Sequence, residues 1–348
     1  MQPRNPSKLS PKRIAGYTLV ELMIAMSIGL FLIGGAFQIT QTNKKSTRLQ
    51  KNLQQTQNNG RFAINNLSYA IKTAGYSGFY MDLSDGVENL INTPTDAKWD
   101  ISTPVSGFNN VANSKTIAGV TGFIPNTDVL LLKGMESDVL PVFTNNDSST
   151  IEVSKDNNFS NGDIVVITDT DQASLFQIGS IATDSTKSTL TLTTGGSTPG
   201  NATLLSNSFN SESQISLYSL QLYYIKAGMS GEPALFTTSL SNSSGTIQVQ
   251  EKELVSNIDN MQLNYGIDNN DDQVVDEYKD ASTITNWSQV VSINVALLAS
   301  SHGDNIVPKK SSYSYDADLV TFVADSTPSN TANKRLKRIF RTYIPLRN

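Results

Sequence analysis

The 348-residue chain has no cysteine and a single histidine, and charged residues make up only 16% of it, against a usual share of about 25%. Without cysteine there is no thiolate nucleophile, no thiolate metal site and no disulfide, and one histidine cannot build a multi-histidine metal centre. A Ser-His-Asp triad would have to use His302, which sits in the polar run Ser300-Ser301-His302-Gly303-Asp304. Triads are assembled in space rather than by adjacency in sequence, so this run reads as an exposed loop. Ser, Thr and Asn take the place of the missing charge, and 38% of the residues are apolar, enough for a core but not a rich one. The composition suits a surface or secreted β-rich protein better than a cytosolic enzyme.

What is present begins at the amino terminus. Residues 1–16 contain Arg4, Lys8, Lys12 and Arg13 and no acid, and from Leu22 through Asn43 no side chain is charged. A basic flank before an apolar run is an export or membrane signal, and it predicts a cytoplasmic amino end. Leu19 to Ile39 would extend about 31 Å as a helix, close to the thickness of a bilayer core. Glu21 is the residue that an ordinary signal anchor does not explain. A carboxylate in a spanning helix is costly, so it calls for a cationic partner. Cleavage between Gly16 and Tyr17 would create an α-amine and make Glu21 the fifth mature residue. There it could meet the amine of an axially shifted neighbour, so that each charge neutralises the other.

Lys12-Arg13-Ile14-Ala15-Gly16 followed by Tyr17-Thr18-Leu19-Val20-Glu21-Leu22-Met23-Ile24-Ala25 resembles the class III leader of type IV pilins and their relatives. The resemblance implies that a prepilin peptidase cuts after Gly16 and methylates the amine of Tyr17, and that Glu21 is needed for assembly. The sequence departs from the pattern in having Tyr17 in place of the usual Phe, and Gln38 where many major pilins place a kinking Pro. Gly29, Gly34 and Gly35 supply flexibility instead.

Beyond Lys44 the residues Leu49, Leu53, Thr56, Gly60, Ile64, Leu67, Ile71 and Ala74 recur at steps of three and four, predicting a helix from about Thr18 to Ala74 that Gly75 ends. From Met81 the period changes to two. Strands are expected over 129–133, 151–154, 163–168, 175–179, 188–193, 215–226, 247–254, 261–265, 290–298, 319–323 and 339–346. Asn161-Gly162 and Ser230-Gly231 read as turns. The Ser/Thr/Asn-rich stretches 194–213, 239–246 and 324–333 read as exposed loops. The expected fold class is α+β, a long helix packed on a large, mostly antiparallel β head. Its parts would be a leader (1–16), a transmembrane and assembly helix (17–43), an amphipathic continuation (44–75) and the head (76–348).

Further blocks resemble the PilW-type minor pilins. They include Asn58-Asn59-Gly60-Arg61-Phe62-Ala63, Gly162-Asp163-Ile164-Val165-Val166-Ile167, Leu222-Tyr223-Tyr224-Ile225, and Ile258-Asp259-Asn260-Met261-Gln262-Leu263-Asn264-Tyr265-Gly266 with Trp287. The resemblance implies a protein without an active site that helps initiate type IV pilus assembly and sits at or near the pilus tip. Its implied partners are prepilin peptidase, other minor pilins, the major pilin and a large pilus-tip adhesin. It would be held in inner-membrane lipid by a single pass with the head periplasmic, and then in the extracellular pilus used for twitching motility. The alternatives are a type II secretion pseudopilin and a tip-located adhesin or ligand-binding module. Many minor pilins carry a disulfide in the head, which this chain cannot form.

Two charged segments remain. Asp268, Asn270, Asp272, the Val274 carbonyl and Asp276 fall at calcium-loop spacing, but Gln273 replaces the turn Gly and Lys279 the bidentate Glu. The run is either a calcium site or a solvated acidic turn. No other cofactor is implied. Residues 334–348 carry Lys334, Arg335, Lys337, Arg338, Arg341 and Arg347 and no acid. A nucleic-acid patch is the disfavoured reading, because the rest of the mature chain is strongly acidic. A strand whose cations face water or an acidic neighbour is the favoured one.

Overall fold

The computed structural model describes residues 16–78, 80, 83, 86–93, 96–196, 198–303, 306–307 and 334–346. The leader up to Ala15, the expected strand 319–323, the polar stretch 324–333 and Arg347 lie outside the described residues. The backbone falls into two units, one ending at Lys51 and one starting at Asn52, and a single helix, α1 (Leu19–Thr73), belongs to both.

In the first unit α1 is apolar and exposed around its circumference from Leu22 to about Thr42, with Ile24 and Phe31 both open, before the basic stretch Lys44 to Lys51. It is long and apolar enough to cross a membrane. Its few hydroxyls are satisfied within the helix, as an apolar solvent demands: Ser27 Oγ donates to the Met23 carbonyl at 2.8 Å and Thr40 Oγ1 to that of Ala36 at 2.8 Å.

In the second unit one face of α1 is buried through Thr56, Gly60, Ala63, Leu67, Ala70 and Ile71. Four of these six are Thr, Gly or Ala, so the backbone can come close to the sheet. The expected stripe through Gly60, Leu67 and Ile71 is present, whereas Leu49 is exposed and Ala63 and Ala70 belong to the buried face. Gly75, in the left-handed conformation at φ 74°, ends the helix and donates its N–H to the Lys133 carbonyl at 2.9 Å.

Twelve strands form the larger sheet: β1 (Glu88–Asn89), β2 (Val105–Val111), β3 (Thr127–Met135), β4 (Leu140–Asp147), β5 (Thr150–Ser154), β6 (Ile164–Thr168), β7 (Ala173–Gln177), β8 (Ser180–Thr183), β9 (Lys187–Thr191), β10 (Gln214–Ala227), β11 (Pro233–Ser243) and β12 (Thr246–Ser256). A second sheet comprises β13 (Ile258–Ile267), β14 (Glu277–Lys279), β15 (Val290–Ser300) and β16 (Lys337–Pro345), in the order β14-β13-β15-β16. The pairings between these strands are antiparallel except that of β1 with β7. β10 serves both halves of the large sheet: Gln214 to Leu217 pair with β6, and Tyr218 to Tyr223 pair with β3.

Side-chain alternation sorts the core. Leu130, Leu132, Tyr223 and Ile225 face α1 and the second sheet, while Val129, Leu131, Leu222 and Tyr224 face the opposite cluster around Phe123 and Trp99.

The structure corrects several expectations. Residues 239–246 are not a loop but the end of β11, a two-residue turn and the start of β12; Ser244 and Gly245 both take positive φ, 52° and 88°, as a tight hairpin turn requires. Ser and Thr are compatible with an edge hairpin, and their polarity had suggested a loop. The stretch 194–213 is irregular but not exposed throughout, since Leu205 and Phe209 are buried in a third cluster with Val165 and Phe176. β2, β4 and β8, absent from the expected strands, lack a clean apolar alternation.

Two contacts join the elements. The first lies between α1 and β16, where an added Cβ on Gly60 would fall 2.2 Å from the Phe340 ring. The second is Asp128 on β3, whose Oδ1 accepts the Asn110 N–H at 2.9 Å and whose Oδ2 accepts the Leu263 N–H of β13 at 2.7 Å. Burial pushes the Asp128 carboxyl up to about 7, against the two backbone donors that lower it.

Replacing Gly60 with Ala should destabilise the head by about 1–3 kcal/mol through overpacking, and most of that loss should disappear in a Phe340→Ala background, as read from urea melts. The raised pKa of Asp128 means that its contribution to stability is fully present below about pH 4 and is lost as pH rises through about 7. The wild type should therefore lose more stability between pH 5 and pH 8 than Asp128→Asn does; parallel pH profiles would overturn this assignment.

Candidate functional site

The leader junction is built from four residues. Gly16, Tyr17 and Thr18 precede the helix, and the side chain of Tyr17 is 85% exposed. Thr18 is the N-cap: its Oγ1 accepts the Glu21 N–H at 3.2 Å, and Glu21 Oε2 accepts the Thr18 N–H at 3.3 Å. This is a reciprocal capping box, which satisfies two donors at the end of a helix that has few other ways to satisfy them. The Thr-x-x-Glu spacing at 18–21 is the sequence signal of this cap, and it gives Glu21 a local role at the helix end beside the assembly role that the leader resemblance implies. The negative charge of Glu21 is also favourably placed at the positive end of the helix. The Gly16–Tyr17 bond, where cleavage is expected from the leader resemblance, thus lies just outside the first turn in exposed chain.

The acidic turn after β13 is organised around Asp268. Its Oδ1 accepts the N–H groups of Asn270 at 3.1 Å, Asp271 at 2.8 Å and Asp272 at 3.4 Å, and its Oδ2 accepts that of Gln273 at 2.6 Å. Burial pushes this carboxyl up, but the four backbone donors outweigh it and hold the group below the ordinary carboxylate range. Asp272 Oδ1 accepts the Val274 N–H at 2.8 Å, and Asp276 Oδ2 accepts the Asn269 N–H at 2.8 Å. Gln273, at the place of the calcium-loop Gly, takes the left-handed conformation at φ 63°. The five expected ligands therefore share one turn. Among the described residues, however, no three acidic or histidine side chains converge as a metal group.

The basic carboxyl end folds into the head. Arg335 is 3% exposed: its Nε donates to the Ser301 carbonyl at 2.7 Å, its Nη2 to Asn257 Oδ1 at 2.8 Å, and its Nη1 pairs with Glu232 at 2.5 Å. Lys337 lies 3.0 Å from the buried carboxylate of Asp259, which also accepts Ser300 Oγ at 2.7 Å. Arg341 Nε donates to Asn294 at 2.9 Å and its guanidinium lies over Tyr343. The sequence reading leaves these cations facing water or an acidic neighbour and does not identify Asp259, because nothing in a one-dimensional pattern brings residue 259 to residue 337.

Comparison with known families bears on both ends of the chain. Residues 11–37 match the prokaryotic N-terminal methylation motif, and residues 222–348 match the type IV pilus-assembly protein W family, PilW. Among curated proteins and solved structures, none matches the chain. The methylation motif covers the exposed junction and the capped apolar helix described above. The pilus-assembly match covers the end of β10, β11 to β16 and the buried ionic corner. With the methylation motif at one end and the pilus-assembly match at the other, the two findings support a minor pilin of the PilW type.

Proposed function

We propose that the protein primes type IV pilus assembly and is incorporated at or near the pilus tip. On this reading it is cut between Gly16 and Tyr17, methylated on Tyr17, and held beforehand in the inner membrane with its amino end cytoplasmic and its head periplasmic. The observation that carries the reading is the pairing of an exposed Gly16–Tyr17 junction with Glu21 at the first turn of a helix whose first half is apolar and exposed. A helix of this kind needs either lipid or neighbouring helices around it, and Glu21 is the acid in its spanning half that a neighbour's amine can neutralise. Its working partners are then prepilin peptidase, the major pilin, fellow minor pilins and a large tip adhesin. The head serves a structural role rather than a catalytic one, and a type II secretion pseudopilin uses the same end chemistry.

Glu21→Ala should still be processed but should fail to enter pili, measured by immunoblotting sheared pili against membranes; normal incorporation would sink the assembly role. Gly16→Glu should leave the leader attached, seen as slower migration on a gel and as an unmethylated Tyr17 by amino-terminal sequencing. For the acidic turn, four amides already satisfy Asp268, and we expect the melting temperature to be unchanged by EDTA. A rise on adding calcium that EDTA reverses would place the ion on Asp268, Asn270, Asp272, Val274 and Asp276.

A further inference from the structure

The half of α1 in the second unit has an outward face that the head leaves open. Arg61, Phe62, Asn65, Tyr69 and Lys72 are exposed along it, Phe62 by 56% and Tyr69 by 72%. Phe62 and Tyr69 are seven residues apart, hence on one line of the helix about 10 Å from one another. Arg61 and Lys72 both lie along one side of this line, and α1 contributes no acid after Glu21: residues 44–73 carry Lys44, Lys45, Arg48, Lys51, Arg61 and Lys72 and no carboxylate. Among the described residues, neither Arg61 nor Lys72 takes part in a salt bridge.

The remainder of the chain has the opposite character. Residues 74–348 hold 30 acidic side chains against 16 basic ones. Within them the 268–277 turn presents exposed Asp271, Asp272 and Asp276 around Val274, whose side chain is 60% exposed. The amides gathered by Asp268 and the left-handed Gln273 fix the shape of this knob. An apolar tip ringed by carboxylates is the counterpart of an aromatic line with cations along one side, in both charge and polarity.

We propose that this helix face of one subunit receives the 268–277 turn of a second copy. Val274 would seat between Phe62 and Tyr69, and the carboxylates of Asp271, Asp272 and Asp276 would face Arg61 and Lys72. The contact joins two different surfaces, so it leaves one of each free and can add a further subunit rather than closing a pair. It deepens the proposed pilin reading, on which it rests, by naming a head-level contact beside the one made through Glu21.

The natural absence of cysteine gives the test a clean background. Differently tagged full-length Tyr69→Cys and Val274→Cys proteins are mixed in detergent and oxidised gently. The mixed disulfide should outweigh either homodimer, and its yield should fall several-fold in high salt or when Arg61→Glu and Lys72→Glu are added to the Tyr69→Cys protein. A mixed disulfide no more abundant than the homodimers would overturn the proposal, as would one that persists through charge reversal; the first result is also what a face that meets lipid headgroups instead would give. Circular dichroism melts of the charge-reversed protein should match wild type, which separates lost docking from lost folding. Incorporation of Glu21→Ala into pili is scored in parallel. Cross-linking together with normal Glu21→Ala incorporation sinks the assembly reading alone, and failed cross-linking with lost Glu21→Ala incorporation sinks the docking surface alone.

Discussion

Asp259 is 1% exposed and has its two cations, Arg335 and Lys337, delivered from a part of the chain more than seventy residues further on. A buried carboxylate left without its cations costs several kcal/mol, so the carboxyl-terminal segment has little freedom to sit anywhere else. With Lys337 fixed, β16 runs along β15 in a single register from Lys337 opposite Ser300 to Pro345 opposite Ser292. That register puts Phe340 against Gly60 and Ile344 into the main cluster, which is how the second half of α1 acquires its seat. In a head that cannot be cross-linked by cysteine, buried ions and a glycine contact perform the closure that a covalent bridge performs elsewhere.

The second joint, through Asp128, has a different character. Its carboxylate reaches the Leu263 amide on a stretch of β13 that lies beyond the short pairing with β14, and Gln262 and Asn260 on the same stretch donate to the Asn126 carbonyl at 3.0 and 3.3 Å. The start of β3 therefore covers a strand edge that would otherwise leave backbone donors unsatisfied beside the core. Because this cover relies on one buried acid whose pKa burial raises towards 7, the joint carries a smaller desolvation cost on the acid side of neutrality.

The parts of the molecule legible in sequence were those governed by local chemistry. The apolar run, the helix stop at Gly75, the turns at Gly162 and Gly231 and the strands with clear alternation all depend on residues within a few positions of one another. Ala63 and Ala70 lie beside the expected stripe because a single line at steps of three and four takes one residue per turn, whereas the buried face is wider than one line. β11 is absent from the expected strands, and its end falls in an expected loop, because Ser and Thr on an edge hairpin look like Ser and Thr in a loop. The Thr18–Glu21 cap was visible as a spacing, but Glu21 already had an explanation. The Asp259 cluster and the Asp128 joint were out of reach in principle, since each is a fact about which distant segments meet.

The capping box at Thr18 bears on how a subunit waits. Before any neighbour arrives, Glu21 Oε2 is already engaged with its own backbone, so the solitary helix end is partly satisfied although the negative charge of Glu21 is not neutralised. On the proposed reading, joining the filament replaces an internal bond with an external one, and leaving restores the internal bond. What binding gains at this position is then charge neutralisation less the loss of the cap. An end group of that kind favours reversible exchange over a permanent latch, and it leaves the commitment to remain in the filament to the large helical and head surfaces.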